Sequence, residues 1–251
     1  MIPTRDGIPK INRTRLRSMN KTIILTSTAA GLLCLGAQAA IVNNNLTGNK
    51  EYDGWDRLGS SAPGLTTTTL STGSGFGSNE AGSGDAMLLR VSGGHYPASL
   101  GLYSFGSNST LRVSDTVTSF SDIRTVAITI VSWSNGDEGL PSGSFSSLPT
   151  LGFNGGSQAL AADWFGTTRV GSVDFGGPIQ TYAFTFQWDL GSFGDPITSY
   201  DVSWGQIVHT GVLGIQLESA DTYSLSNAVP EPSSALLAAS AAILAFRRKR
   251  R

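Results

Sequence analysis

A single cysteine, Cys34, denies the chain any intrachain disulfide, so no covalent staple holds its fold. Histidine is almost as scarce. His95 and His209 are the two available for general-base or metal chemistry, which leaves too few donors for a zinc centre of three or four ligands. The chain also holds no Walker loop, no H-E-x-x-H and no G-x-S-x-G. Gly73-x-Gly75-x-Gly77 lacks both the spacing and the strand-to-helix setting of a dinucleotide cradle.

Charged residues make up only 14% of the chain, and they are unevenly placed. Between residues 40 and 228 the basic residues are Lys50, Arg57, Arg90, Arg112, Arg124 and Arg169, against sixteen acidic ones, a net charge of −10. The formal −1 of the whole chain hides this, because the remaining positives sit at the two ends. An acidic body does not seek nucleic acid, whose phosphates call for clustered Lys and Arg. It suits a solvated surface protein or one that takes up cations.

The ends carry targeting chemistry. Met19-Asn20-Lys21 reads as a basic n-region, residues 23–35 as its apolar core, and Ala37-Gln38-Ala39 as the small-x-small pattern before a cut ahead of Ala40. Residues 1–39 thus form a signal region with a helical apolar part. Residues 1–18 are polar and basic, and Met19 is the favoured true start over Met1. Cys34 follows Leu32-Leu33, which is wrong for a lipidated cysteine.

At the other end, Val229-Pro230-Glu231-Pro232 precedes an apolar run, and Arg247, Arg248, Lys249, Arg250 and Arg251 close the chain. A helix over 233–246 has 14 residues and spans about 21 Å, short for a bilayer core but within reach of snorkelling and local thinning. The basic block stays on the cytoplasmic side. In this order the elements resemble the PEP-CTERM sorting signal. The resemblance covers 23 residues, from Val229 to Arg251. It implies recognition of Pro230-Glu231-Pro232 by an exosortase, a membrane-embedded cysteine protease, and cleavage nearby. It also implies export through Sec and a product at the cell surface or in an extracellular matrix, often beside extracellular polysaccharide.

The exported body, 40–228, reads as strands and turns with no convincing helix. Gln180 to Asp189 alternates Tyr182, Phe184, Phe186 and Trp188 against Ala183, Thr185 and Gln187. Thr125 to Trp133 carries an apolar face of Val126, Ile128 and Ile130, and Leu213, Ile215 and Leu217 form a third stripe. Shorter strands are expected at 41–46, 86–91, 99–105, 110–113, 168–175 and 199–204. Turn signals such as Asn154-Gly155-Gly156 and Gly176-Gly177-Pro178 separate them. The pattern predicts an all-β sandwich of jelly-roll or lectin-like kind, because only two strands approach the length an outer-membrane barrel needs. Gly59 to Gly84, rich in Ser, Thr and Gly, is expected as a surface excursion or an exposed Thr-rich strand.

Candidate site residues follow from residue type. Asn49 to Asp56 is acidic and turn-rich, which makes Glu51, Asp53 and Asp56 candidate ligands for a structural Ca²⁺. Trp55 and Trp164, beside Gly54 and Asp163, are placed to stack on a sugar ring. Trp188 belongs in the core and Trp133 at a half-buried strand end. His95, in Gly93-Gly94-His95-Tyr96-Pro97, is expected exposed. A glycan-cleaving pair would draw on Asp137, Glu138, Asp163, Asp189 or Glu218. With no catalytic motif, the leading expectation is a structural or adhesive surface protein. A carbohydrate-binding module and a secreted glycoside hydrolase or lyase are the alternatives.

Overall fold

The computed structural model describes residues 42–71, 75–133, 139–225 and 229–230. The signal region, Glu231, Pro232, the apolar segment 233–246 and the basic residues 247–251 lie outside the described residues, as do Asp137 and Glu138. Among the described residues no helix is long and apolar enough to cross a membrane.

In chain order the elements begin with β1 (Val42–Asn43), β2 (Lys50–Trp55), a short helix α1 (Thr67–Ser71) and β3 (Phe76–Gly77). Then come β4 (Met87–Ser92), β5 (His95–Pro97), β6 (Leu102–Ser104), β7 (Ser109–Thr116) and β8 (Thr125–Trp133). A 3₁₀ turn at Pro141–Gly143 leads into β9 (Phe145–Phe153), β10 (Leu160–Ala161) and β11 (Trp164–Asp174). The last are β12 (Pro178–Asp189), β13 (Ser199–Gln206), β14 (Gly211–Ala220) and β15 (Val229–Pro230).

Two large antiparallel sheets face each other. The six-stranded sheet runs β10-β9-β13-β7-β4-β3 and the seven-stranded sheet runs β11-β12-β8-β14-β6-β5, with β2 also pairing β14. β1 and β15 form a separate pair that ties Val42 to Pro230 and Asn43 to Val229. Five strands reach nine residues or more, which corrects the expectation of two. The sheets stay open all the same.

Alternation explains the core. Tyr182, Phe184, Phe186 and Trp188 of β12, with Val126, Ile128 and Ile130 of β8, point inward against Leu111 and Val113 of β7 and Val202 and Trp204 of β13. Phe145 of β9 crosses the gap edge-on to Phe184, with ring centroids 5.2 Å apart. All nine residues of β8 are buried, because its other face is covered too. There Ala127 packs with Leu46 and Ala220, and the Thr129 hydroxyl donates to Asn44 Oδ1 at 3.2 Å.

Three local expectations fail for identifiable reasons. Asn49–Asp56 is not a turn-rich loop, because Lys50–Trp55 pairs along β14 from Ala220 to Ile215 and becomes a strand in spite of its polar composition. The third stripe is broken by a bulge between Val212 and Gly214, which turns Leu213 away so that Val212, Ile215 and Leu217 are the core residues. The Gly59–Gly84 stretch contains α1, whose Leu70 is fully buried.

Trp55 is the largest correction. It is 0% exposed, inside the core, and its indole N–H donates to Phe76 O at 3.2 Å and Gly77 O at 2.9 Å. A ring sealed in this way cannot stack on a sugar. Trp55→Ala should cost about 3–5 kcal/mol of stability, and Trp55→Phe, which keeps most of the volume, should cost less. Urea unfolding of the full chain measures both. A Trp55→Ala chain as stable as its parent would refute the packing role.

Candidate functional site

Two places on the sandwich gather chemistry, one at each end of β14. The first is built by strand register. Trp133 on β8 faces Gly211 on β14, Gly211 faces Tyr103 on β6, and Tyr103 faces Tyr96 on β5, so one row crosses four strands on the outer face of the seven-stranded sheet. Gly211 is required there. A β-carbon on it would lie 2.0 Å from the Trp133 ring, so the indole lies flat over the bare backbone.

Trp133 is itself buried and serves as the floor. Tyr103 and Phe175 stack on it with centroids 6.2 and 6.3 Å away, each tilted by 25°. Tyr96 meets Tyr103 edge-on, and Phe105 lies 6.3 Å from Tyr103. Phe105 is 59% exposed and Phe175 56%, so the platform opens to solvent. Its polar partner is His209, held at φ 66° in the turn before β14, with Nδ1 2.8 Å from the Tyr103 hydroxyl. The turn that carries Phe175 also lines a shallow hollow of about 550 Å³ with Asp174 and Pro178.

Trp164 is not part of this platform. It is half-buried on β11, opposite Gln187, with its ring over Gly166. Thr181, the β12 partner of Trp133, lies six residues from Gln187, about 20 Å along the strand. The platform residues were hard to see in sequence because Tyr96, Tyr103, Phe105 and Phe175 come from three separate segments. The available signal was the Tyr103-Ser104-Phe105 alternation with Tyr96 just upstream.

The second place is acidic. Glu51 of β2, Asp85 before β4 and Asp115 of β7 each bring a carboxylate oxygen within 4.8 Å of the others. Glu51, Asp53 and Trp55 share the inward face of β2, so Asp53 is drawn in beside them and is 1% exposed. Its Oδ1 accepts the Ala86 N–H at 3.1 Å, which fixes the chain next to Asp85. Asp56 is elsewhere, paired with Arg57 at 3.5 Å, so the set Glu51, Asp53 and Asp56 is not the one the fold assembles. Asp115 was missed. It follows Leu111 and Val113 in the inward row of β7, and a carboxylate in that register was the available signal.

Burial pushes the Asp115 carboxyl up to about 7, and the negative charges of Asp53 and Glu51 push the same way. The Tyr200 hydroxyl and the Thr116 N–H oppose the shift, but neither closes a full hydrogen bond to an Asp115 oxygen. Asp53 is raised for the same first reason, burial. Asp85 and Asp115 open into a cavity of about 370 Å³ that Arg112, Phe153, Tyr200 and Asp201 also line.

Of the carboxylates expected for sugar cleavage, Asp163 and Asp189 are neighbours, and each is engaged by a backbone N–H. Asp163 Oδ2 accepts the Asp189 N–H at 2.8 Å, while Glu218 is buried on the outer face of the seven-stranded sheet, where Oε1 accepts from Asn44 Nδ2 at 3.1 Å.

His95 is fully buried rather than exposed, because Tyr96 takes the outward position of β5 and turns its neighbour inward. Both ring nitrogens lack a hydrogen-bond partner. Burial, then the nearby Arg90 cation, pushes its pKa down to about 3 from an ordinary 6.5. Between those values the unfolded chain binds a proton that the folded chain refuses, so stability falls as pH drops through that window. His95→Leu should therefore raise the melting temperature at pH 5, with the advantage shrinking toward pH 8. An unchanged pH slope in the variant would count against the buried neutral imidazole.

No family model, curated protein or solved structure matches this chain.

Proposed function

We propose that the body is a glycan-binding β-sandwich of jelly-roll or lectin-like kind, exported and held at the cell surface or in the extracellular matrix. The aromatic platform carries this reading. Exposed aromatic rings packed side by side form an apolar surface that a solvated protein does not keep without use, and sugar rings present C–H faces that stack on it. The Tyr103 hydroxyl and His209 add directional hydrogen bonds at its edge.

The occupant is a neutral glycan. A body of net charge −10 repels an acidic polymer, and the platform residues themselves bring no Lys or Arg to offset that. The chain's alternation between sheets, as in β6 to β7 to β8 to β9, supports the jelly-roll assignment within the sandwich class. Export rests on the signal region and on the PEP-CTERM resemblance. By that reading Val229, Pro230, Glu231 and Pro232 are read by an exosortase, and the 233–246 helix with its basic tail anchors the precursor in the membrane until cleavage.

Affinity electrophoresis of the full-length chain in neutral polysaccharide gels should show retardation. Phe175→Ala and Tyr103→Ala should weaken binding at least tenfold, while Trp164→Ala should leave it unchanged. Equal retardation of all three variants would remove the platform as the site. Processing has its own readout: in a host with an exosortase, intact mass of the released protein should lack Arg247 to Arg251 and begin near Ala40. Recovery of the full tail from released material would defeat the sorting proposal.

A further inference from the structure

We propose that Glu51, Asp85 and Asp115 form a Ca²⁺ site that ties the seven-stranded sheet to the six-stranded one. Glu51 belongs to β2 of the first sheet and Asp115 to β7 of the second, with Asp85 arriving on the connection into β4. The site lies at the far end of the sandwich from the aromatic platform. Glu51 is level with Ser219, eight residues along β14 from Gly211, which is about 26 Å. It stands independently of the glycan reading.

Proximity of acids alone would not make a site, since acidic groups crowd many surfaces. The decisive feature is Asp115. It is 5% exposed, both of its oxygens are buried without a hydrogen-bond partner, and it lines the cavity it shares with Asp85. A buried carboxylate with no fully formed hydrogen bond and no cation is among the costliest arrangements a core can hold. Its inward neighbours, Glu51 and Asp53, make the position worse instead of better. Arg112 lines the same cavity but, among the described residues, no Lys or Arg forms an ion pair with any of the four acids. A bound cation supplies what the side chains around Asp115 do not.

Ligand number selects the ion. The three carboxylate oxygens lie within 4.8 Å of one another, close enough to share one hard cation, and Ca²⁺ accepts several carboxylates at once. Mg²⁺ holds ligands at about 2.1 Å, keeps several waters and takes one or two carboxylates rather than three. The chain also braces the ligands. Ser119 Oγ donates to the Glu51 Oε2 at 2.9 Å, and Asp53 holds the Ala86 N–H beside Asp85. Gly84 leaves the room: a β-carbon there would stand 3.1 Å from both Glu51 Oε1 and Asp53 Oδ2. Asp85 is exposed, so water can complete the coordination from outside.

The test uses the full-length chain stripped with chelator, then titrated with CaCl₂ and separately with MgCl₂ by calorimetry and by thermal unfolding. Ca²⁺ should bind at one site with a dissociation constant on the order of 10⁻⁴ M or tighter and raise the melting temperature, with Mg²⁺ at least tenfold weaker. Asp115→Asn and Asp85→Asn should each weaken Ca²⁺ binding at least tenfold. In chelator, Asp115→Asn should melt no lower than the parent, because it removes a repelled charge from the core. That pairing of lost Ca²⁺ response with undiminished metal-free stability separates a ligand from a merely structural acid. Asp201→Asn, on the same cavity outside the cluster, should keep parental affinity. Absence of Ca²⁺ heat and melting shift in the folded parent, parental affinity in Asp115→Asn, or equal loss in Asp201→Asn would each overturn the assignment.

Discussion

Strand β14 is bonded on one edge to β8 along nearly its whole length, and on the other edge first to β6 and then to β2. Both candidate sites depend on its register. The bulge at Leu213 adds one residue to β14 without moving its neighbours, so Gly211 can lie outward under Trp133 while Ile215 and Leu217 turn inward. A slip of one residue would send every subsequent side chain to the wrong face. Glycine would then leave the indole without a floor, and the partner positions for Asp53 and Glu51 would no longer be Leu217 and Ser219.

The two sites put opposite physics on one frame. At one end, apolar rings that would normally be buried are left in water. At the other, charge that would normally be solvated is drawn inward. Each departs from the rule that apolar groups go inside and charges outside, and such departures concentrate where a protein does something other than hold itself together. Between them lies an ordinary core in which Phe145, Phe184, Phe186 and Trp204 follow from alternation alone.

Legibility in the sequence followed the same division. β8 was recognised at its observed ends, and β12 nearly so, because two apolar faces or an unbroken aromatic stripe leave little choice of structure. β9 was missed, since Phe145–Phe153 is interrupted by Ser146, Ser147 and Pro149 and its burial depends on β13 beside it. β2 was mistaken for a loop because Glu51, Asp53 and Gly54 disfavour a strand until β14 pairs with them. Glu51 and Asp53 stand out in the sequence as acids of interest together with Asp56, but local sequence could not supply Asp85 and Asp115, which arrive 34 and 64 residues after Glu51. Trp55 was misplaced for a related reason: Gly54 and Asp56 suggest exposure, whereas the strand turns its indole inward.

The short pair of β1 with β15 has a mechanical consequence. Val42 opposes Pro230 and Asn43 opposes Val229, so a pull on the C-terminal side loads this antiparallel pair from its open end, one bond at a time. Two residue pairs offer little resistance. Behind them the chain is still held, because Asp221 accepts from Asn49, and Ser224 accepts from Thr47 and Gln187. Further tension then runs lengthwise along β14, where the bonds to β8 and β2 share the load and must fail together. The body would yield first at this short pair and then resist as a stiff one.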